Sequence, residues 1–137
     1  MAYTIVDACT GCTACVRPCP VGAISGEKNA LHTIDARLCI DCGACGRICH
    51  FEAVLDAHGA LCVEVRRSAW PLPTFDLALC DGCRECIQVC PVSCLAMGHQ
   101  VPKDPTLYPY LAEAKACIAC EFCEEACPLD AVAMQAR

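Results

Sequence analysis

The sequence predicts an α+β fold of two tandem modules, each of βαββαβ order and each gathered round its cysteines rather than round a large apolar core. Three observations lead there. The spacing C-x2-C-x2-C-x3-C recurs four times: Cys9-Cys12-Cys15-Cys19, Cys39-Cys42-Cys45-Cys49, Cys80-Cys83-Cys86-Cys90 and Cys117-Cys120-Cys123-Cys127, 16 of the 18 cysteines. The residues after each run are also alike, ending in a small residue and a branched aliphatic: Ala23-Ile24, Ala53-Val54, Cys94-Leu95 and Ala131-Val132. Self-similarity at this scale marks a repeated supersecondary unit. Finally, the gaps between runs are unequal, at 19, 30 and 26 residues, so the runs group as a first pair and a second pair.

Each unit reads as a strand, a cysteine loop, a short helical turn and a strand. The first unit opens on Ala2–Asp7, and the others carry an acid four residues before the first cysteine: Asp35, Asp76 and Glu113. After the second run, Leu55 to Val65 reads as a hairpin with its turn near Asp56-Ala57-His58-Gly59. The widest gap holds Trp70-Pro71-Leu72-Pro73, where two prolines deny backbone donors and favour extended chain. The division is therefore a first module over residues 1–67, a linker over 68–75 and a second module over 76–137. Gly98 to Tyr110, with Pro102, Pro105 and Pro109, reads as a loop inserted in the second module.

Composition says what holds such small modules together. Cysteine makes up 18 of 137 residues, and the 56% hydrophobic fraction counts them, so the conventional core is modest. Cores of modules this small stabilise only marginally without staples. Disulfides need a secreted chain, and the N-terminus Met1-Ala2-Tyr3-Thr4-Ile5 lacks a basic, then apolar, leader. Zinc sites use paired C-x2-C units a dozen or more residues apart, not three cysteines at 0, +3 and +6 with a fourth at +10. That last spacing belongs to cysteines that surround a [4Fe–4S] cubane. Four [4Fe–4S] clusters are the expected cofactors, in a reducing, cytoplasmic setting.

The residues Ala2-Tyr3-Thr4-Ile5-Val6-Asp7, Pro20-Val21-Gly22-Ala23-Ile24 and Ile34-Asp35, with Cys39-Ile40-Asp41-Cys42-Gly43-Ala44-Cys45, make the first half resemble the small two-cluster ferredoxins of the clostridial type. The second half shares the cysteine pattern but departs in its insertion and its acidity. The whole resembles a tandem four-cluster polyferredoxin, a class that includes electron-transfer subunits of larger redox enzymes. The resemblance implies ferredoxin-type modules in which the last cysteine of one run crosses to the partner run's cluster. Carried onto this chain, Cys9, Cys12, Cys15 and Cys49 hold one cluster, and Cys39, Cys42, Cys45 and Cys19 the second. Cys80, Cys83, Cys86 and Cys127 hold the third, and Cys117, Cys120, Cys123 and Cys90 the fourth. A nested order, outer runs together and inner runs together, occurs in four-cluster subunits of molybdenum oxidoreductases. The regular runs here favour the sequential order.

Two cysteines stand outside the ligand set. Cys94 takes the place of Ala23, Ala53 and Ala131 and reads as a small buried side chain packed beside a cluster. Cys62, in Leu61-Cys62-Val63-Glu64-Val65, reads as partly exposed. His50 stands where the other runs have Pro20, Pro91 and Pro128; it reads either as a tolerated turn residue or as an imidazole aimed at a cluster sulfur.

Sixteen thiolates and four dicationic cores would take the formal charge from −6 to about −14, which disfavours nucleic acid and favours basic docking partners. Residues 1–70 carry six basic and seven acidic side chains, and residues 71–137 four and nine, with Glu121, Glu124, Glu125 and Asp130 crowding the fourth run. An acidic end docking a basic donor or acceptor is one reading of this crowding, and a solvated acidic face is the other. No apolar run approaches the ~20 residues that span a bilayer. His32, His50, His58 and His99 are scattered, and no phosphate loop or nucleotide fingerprint appears. The expected role is therefore one-electron transfer without substrate chemistry, as a relay subunit of a larger redox complex, for instance beside a tungsten aldehyde oxidoreductase. A free ferredoxin shuttle is the alternative, and an iron–sulfur assembly or storage scaffold is disfavoured because scaffolds need incomplete ligation. The apolar groups of Trp70-Pro71-Leu72-Pro73 and Tyr108-Pro109-Tyr110 are expected at the surface, where they would suit a fixed partner or self-association.

Overall fold

The computed structural model describes residues 2–136 as two compact units divided between Ala69 and Trp70. Unit 1 runs β1 (Thr4–Ile5), β2 (Ile24–Ser25), β3 (Thr33–Ile34), α1 (Ala44–Ile48) and β4 (Val54–Leu55). Unit 2 runs β5 (Leu72–Phe75), α2 (Glu85–Val89), β6 (Leu95–Gly98), β7 (Tyr108–Leu111), α3 (Phe122–Ala126) and β8 (Val132–Gln135). Each unit has two antiparallel ribbons: β1 with β4 and β2 with β3, then β5 with β8 and β6 with β7. In each, one ribbon joins the unit's first strand to its last.

Each repeated unit should carry a short helical turn, and three do, from the residue before the third cysteine to the residue before the fourth. In the first run residues 14–18 form turns instead, with Val16 N–H donating to the Thr13 carbonyl. Pro18 accounts for this. It stands where Ile48 ends α1, and it has no N–H to return to the carbonyl four residues back. It also disfavours helical backbone at Arg17, the residue before it.

Apolar packing is small in each unit. In unit 1, buried Ile24, Cys45 and Val54 make the centre, flanked by Tyr3, Ile5, Ile34 and four further cysteines. In unit 2, the buried centre is Cys86, Cys94, Leu95, Cys117, Cys123 and Val132. Cysteine is one of the three buried residues at the first centre and four of the six at the second, so it supplies core as well as site.

Four expectations are corrected. Residues 72–75, read as linker, are strand β5, with Pro73 paired in register opposite Met134. Gly98 and Tyr108–Tyr110, read as loop, are strand, and Met97 faces Pro109. Prolines are tolerated here because a two-stranded ribbon leaves each strand a free edge where a missing N–H costs nothing. Nor do these segments offer their aromatic groups to solvent: Trp70 is 0% exposed, Tyr108 and Pro73 are buried, and only Tyr110 stays open. The Leu55–Val65 hairpin is shorter than expected. Its turn is there, with the Asp56 carboxylate accepting from His58 and Ala60 N–H at 2.8 and 3.0 Å, and Leu55 bridges Leu61. Beyond Cys62 the chain leaves β4, and Val65 N–H donates to the Arg47 carbonyl instead.

Glycine is demanded unequally. A Cβ on Gly11 (φ +72°) would lie 2.3–2.7 Å from the backbone of Asn29 and Ala30, whereas one on Gly22 (φ +62°) would meet nothing within 4 Å. Gly22→Ala should therefore cost only the left-handed backbone penalty of about 1–2 kcal/mol. Gly11→Ala should cost more, because backbone must also move. Denaturant midpoints of the two loaded variants, followed by loss of visible absorbance, check the order.

Candidate metal centres

The lead-in to each run is tied to the other run of its unit by a backbone hydrogen bond. In unit 1, Val6 N–H donates to the Ala53 carbonyl at 2.8 Å, and Asp35 N–H to the Ala23 carbonyl at 2.7 Å. In unit 2, Asp76 N–H donates to the Ala131 carbonyl at 2.7 Å, and Glu113 N–H to the Cys94 carbonyl at 3.1 Å. The acceptor is always the residue four places after the last cysteine. Run one is thus tied to run two, and run three to run four, in both directions. The acids before the runs shape the same turns: Asp35 Oδ1 accepts from Arg37 N–H at 2.9 Å, and Asp76 Oδ1 from Ala78 N–H at 3.0 Å.

Within each run the backbone turns left-handed at the same three steps. The residue before the second cysteine has positive φ in every run: Gly11, Asp41, Gly82 and Ala119. So does the residue after it, at Thr13, Gly43, Arg84 and Glu121, and so does the third residue past the last cysteine, at Gly22, Glu52, Ser93 and Asp130. Non-glycine residues pay about 1–2 kcal/mol to sit there. Backbone of alternating hand turns successive N–H groups to one side, making a concavity suited to an anion.

The runs enclose four hollows. The first is lined by Cys9, Cys12, Cys15 and Cys49, and the second by Cys39, Cys42, Cys45 and Cys19. The third is lined by Cys80, Cys83, Cys86 and Cys127, and the fourth by Cys117, Cys120, Cys123 and Cys90. Each therefore takes three cysteines from one run and the last cysteine of its partner run. They are alike in size, at about 340, 320, 320 and 300 Å³ with open solvent included. The sulfurs stand round a volume; among the described residues, no three His, Cys, Asp or Glu side chains converge as ligands of a single ion would. Four soft thiol donors round each of four like-sized hollows suit an iron–sulfur cube.

Two stretches of the chain match the 4Fe-4S dicluster domain family, residues 8–54 and residues 79–131. Ferredoxin-2 of Chlorobaculum tepidum is 38% identical over 61 residues, which are 40% of this chain and 97% of that protein. The chain belongs to the 4Fe–4S ferredoxins. It carries two dicluster domains in tandem, a complement of four [4Fe–4S] clusters, and its chemistry is iron–sulfur electron transfer. A subunit of the ion-translocating oxidoreductase complex of Magnetococcus marinus is 50% identical over 34 residues, 25% of this chain and 19% of that protein. A formate dehydrogenase–heterodisulfide reductase–formylmethanofuran dehydrogenase complex from Methanospirillum hungatei is similar over 98% of this chain and 50% of the compared chain, at 22% identity and a TM-score of 0.45.

In this ferredoxin, backbone N–H groups reach the sulfurs that cross between runs. Ala23 N–H donates to Cys19 Sγ at 3.3 Å, Ala53 N–H to Cys49 Sγ at 3.5 Å, and Ala131 N–H to Cys127 Sγ at 3.3 Å. The alanine that ties the partner run through its carbonyl thus serves the crossing sulfur through its N–H. Burial pushes the Cys15 thiol up to about 11, and those of Cys45 and Cys123 up to about 12. Those thiols keep their protons in the bare chain at neutral pH, so loading a cluster must release them. The Cys94 thiol is raised by its hydrogen bond to Cys117, with burial adding to it.

The two spare cysteines part company. Cys62 lines none of the four hollows and packs over Gly46, where a Cβ would lie 2.5 Å from its sulfur. Cys94 lines the fourth. His50 turns its Nδ1 to Glu64 Oε1, pairing two exposed side chains. His32 carries no role in the sequence reading. It is 1% exposed, donates from Nδ1 to the Ala30 carbonyl at 2.9 Å, and borders the first hollow. Its signal is faint, a lone histidine outside the cysteine runs. Arg84 and Glu121, at one matching step, border the third and fourth hollows with opposite charge.

Proposed function

We propose that this chain relays electrons one at a time through four clusters, as a non-catalytic subunit alongside an oxidoreductase of the reducing cytoplasm. The observation that carries the proposal is the set of four hollows, each lined by four run cysteines of which one has crossed from the partner run. In this reading Cys9, Cys12, Cys15 and Cys49 are the ligands of the first cluster, and Cys39, Cys42, Cys45 and Cys19 of the second. Cys80, Cys83, Cys86 and Cys127 hold the third, and Cys117, Cys120, Cys123 and Cys90 the fourth. Both modules then follow one βαββαβ plan, with Pro18 interrupting the first helix of module one.

The bound clusters supply reversible one-electron transfer. The chain's own residues do the rest. Sixteen thiolates would give each iron of four bound cubes one protein ligand and would leave no open position for a substrate. Alanine N–H groups stabilise negative charge at the crossing sulfurs, and buried Ala23, Ala53, Val54 and Val132 exclude water from that side. The excess of acids after residue 70 favours a basic face on the partner.

Support for the subunit reading comes from the Magnetococcus marinus relative, itself part of a complex, and from exposed aliphatic groups at Leu61 and Val63, 51% and 70% open. The burial of Trp70 and Tyr108 favours a free shuttle as second reading, because the surfaces expected for a fixed partner are not there.

Anaerobic native purification at low salt decides between them. The subunit reading expects co-elution with a larger redox partner, and a lone, fully loaded monomer would favour the shuttle. Cluster pairing has its own test in Cys49→Ala. The variant should lose one cluster of four, and alkylation should then label Cys9, Cys12 and Cys15. Labelling of Cys80, Cys83 and Cys86 instead would show the nested order.

A further inference from the structure

The fourth hollow contains five cysteines. Cys94 lines it together with Cys90, Cys117, Cys120 and Cys123. The side chain is 2% exposed, and its Sγ stands 3.6 Å from Cys90 Sγ. The matching residue in the other three units is alanine, and there the crossing cysteine receives that alanine's backbone N–H at 3.3–3.5 Å. At Cys90 a side-chain thiol is laid against the crossing sulfur.

Packing alone does not ask for that sulfur. The space next to the backbone is filled by a methyl group at Ala23, Ala53 and Ala131, all 1–3% exposed. Cys94 adds one heavy atom, and that atom meets both Cys117 and Cys90, two sulfurs of the same hollow. A thiolate that binds iron has given up its proton, so of the three sulfurs only Cys94 keeps a hydrogen to donate. A ligand role is not open to it either, since four other thiols already surround the hollow.

We propose that Cys94 is a positioning residue of the fourth site: its S–H donates to a ligand sulfur beside it, Cys117 or Cys90, and stabilises the more negative, reduced state held there. The proposal rests on the reading that the sixteen run cysteines hold the clusters. Hydrogen bonds to ligand sulfurs are among the controls on cluster potential. The fourth site therefore accepts its electron more readily than it would with alanine in place. Glu121 borders the same hollow and acts in the opposite sense, but it is exposed, and solvent and salt screen it. The thiol acts from the buried side, where screening is weak. Cys94 thus makes one of four similar sites unlike its siblings.

The test uses the full chain, loaded anaerobically, as wild type, Cys94→Ala and Cys94→Ser. Redox titration followed by electron paramagnetic resonance reads the four midpoints, and iron analysis reads the loading. Cys94→Ala should keep its iron, because alanine stands there in the other units, and one midpoint of four should move to lower potential. Cys94→Ser, whose hydroxyl also donates, should return that midpoint to the wild-type value or above it. Four unchanged midpoints in Cys94→Ala would overturn the proposal. So would loss of one cluster's iron from that variant, which would make Cys94 a ligand or a structural support, or failure of serine to restore the midpoint. A wild-type chain with fewer than four clusters would overturn the cluster reading itself, and this proposal with it.

Discussion

The rest of the structure depends on one constraint: the last cysteine of each run lines its partner's hollow. Three cysteines spaced 0, +3 and +6 can surround a hollow from one loop, but the fourth wall must come from elsewhere. Cys49 supplies it to the first hollow and Cys19 to the second, so neither run is complete without the other. Cys127 and Cys90 do the same in the second unit. The backbone ties repeat the reciprocity, from Val6 to Ala53 and from Asp35 to Ala23. A unit is therefore a pair of runs locked by exchange, and its strands are short because they need only close that pair.

This arrangement explains a chain with so little ordinary core. Ile24 and Val54 beside Cys45 could not by themselves offset the entropy of ordering a unit of this size. The left-handed steps that recur in every run, most of them at residues with a side chain, add further strain. Such backbone persists only where something over-determines it. A cluster held by four thiolates can do so, because metal binding free energy is folding free energy when the site does not exist in the unfolded chain. Site and fold share one set of atoms, so a change to either is felt by both.

How much could be read in advance follows from which features are spelled in residue type. The sixteen cysteines and their flanks are; which run lends the fourth cysteine to each hollow is a property of the folded chain. The left-handed steps are not spelled in residue type either. Gly11, Gly22, Gly43 and Gly82 hint at them, but Asp41, Ala119, Arg84, Glu121 and Glu52 hide the same conformation behind side chains that usually avoid it. Prolines mislead in two places. Pro73 and Pro109 suggest linker and loop, yet a two-stranded ribbon has free edges that accept them. Exposure is the other failure. Trp70 and Tyr108 sit in proline-rich segments that read as surface, and their burial depends on tertiary packing that no local pattern states. Cys94 reads correctly as buried and small, but its contact with Cys90 is a property of the folded chain that the spacing does not spell out.

The central claim, that four crossed cysteine quartets hold four cubes, is tested most directly by iron and acid-labile sulfide per chain in anaerobically purified protein, with the spin count after full reduction. The account predicts about sixteen irons, as many sulfides, and four reducible clusters per chain. Zinc in place of iron, or a fully folded chain with far fewer irons, would contradict it.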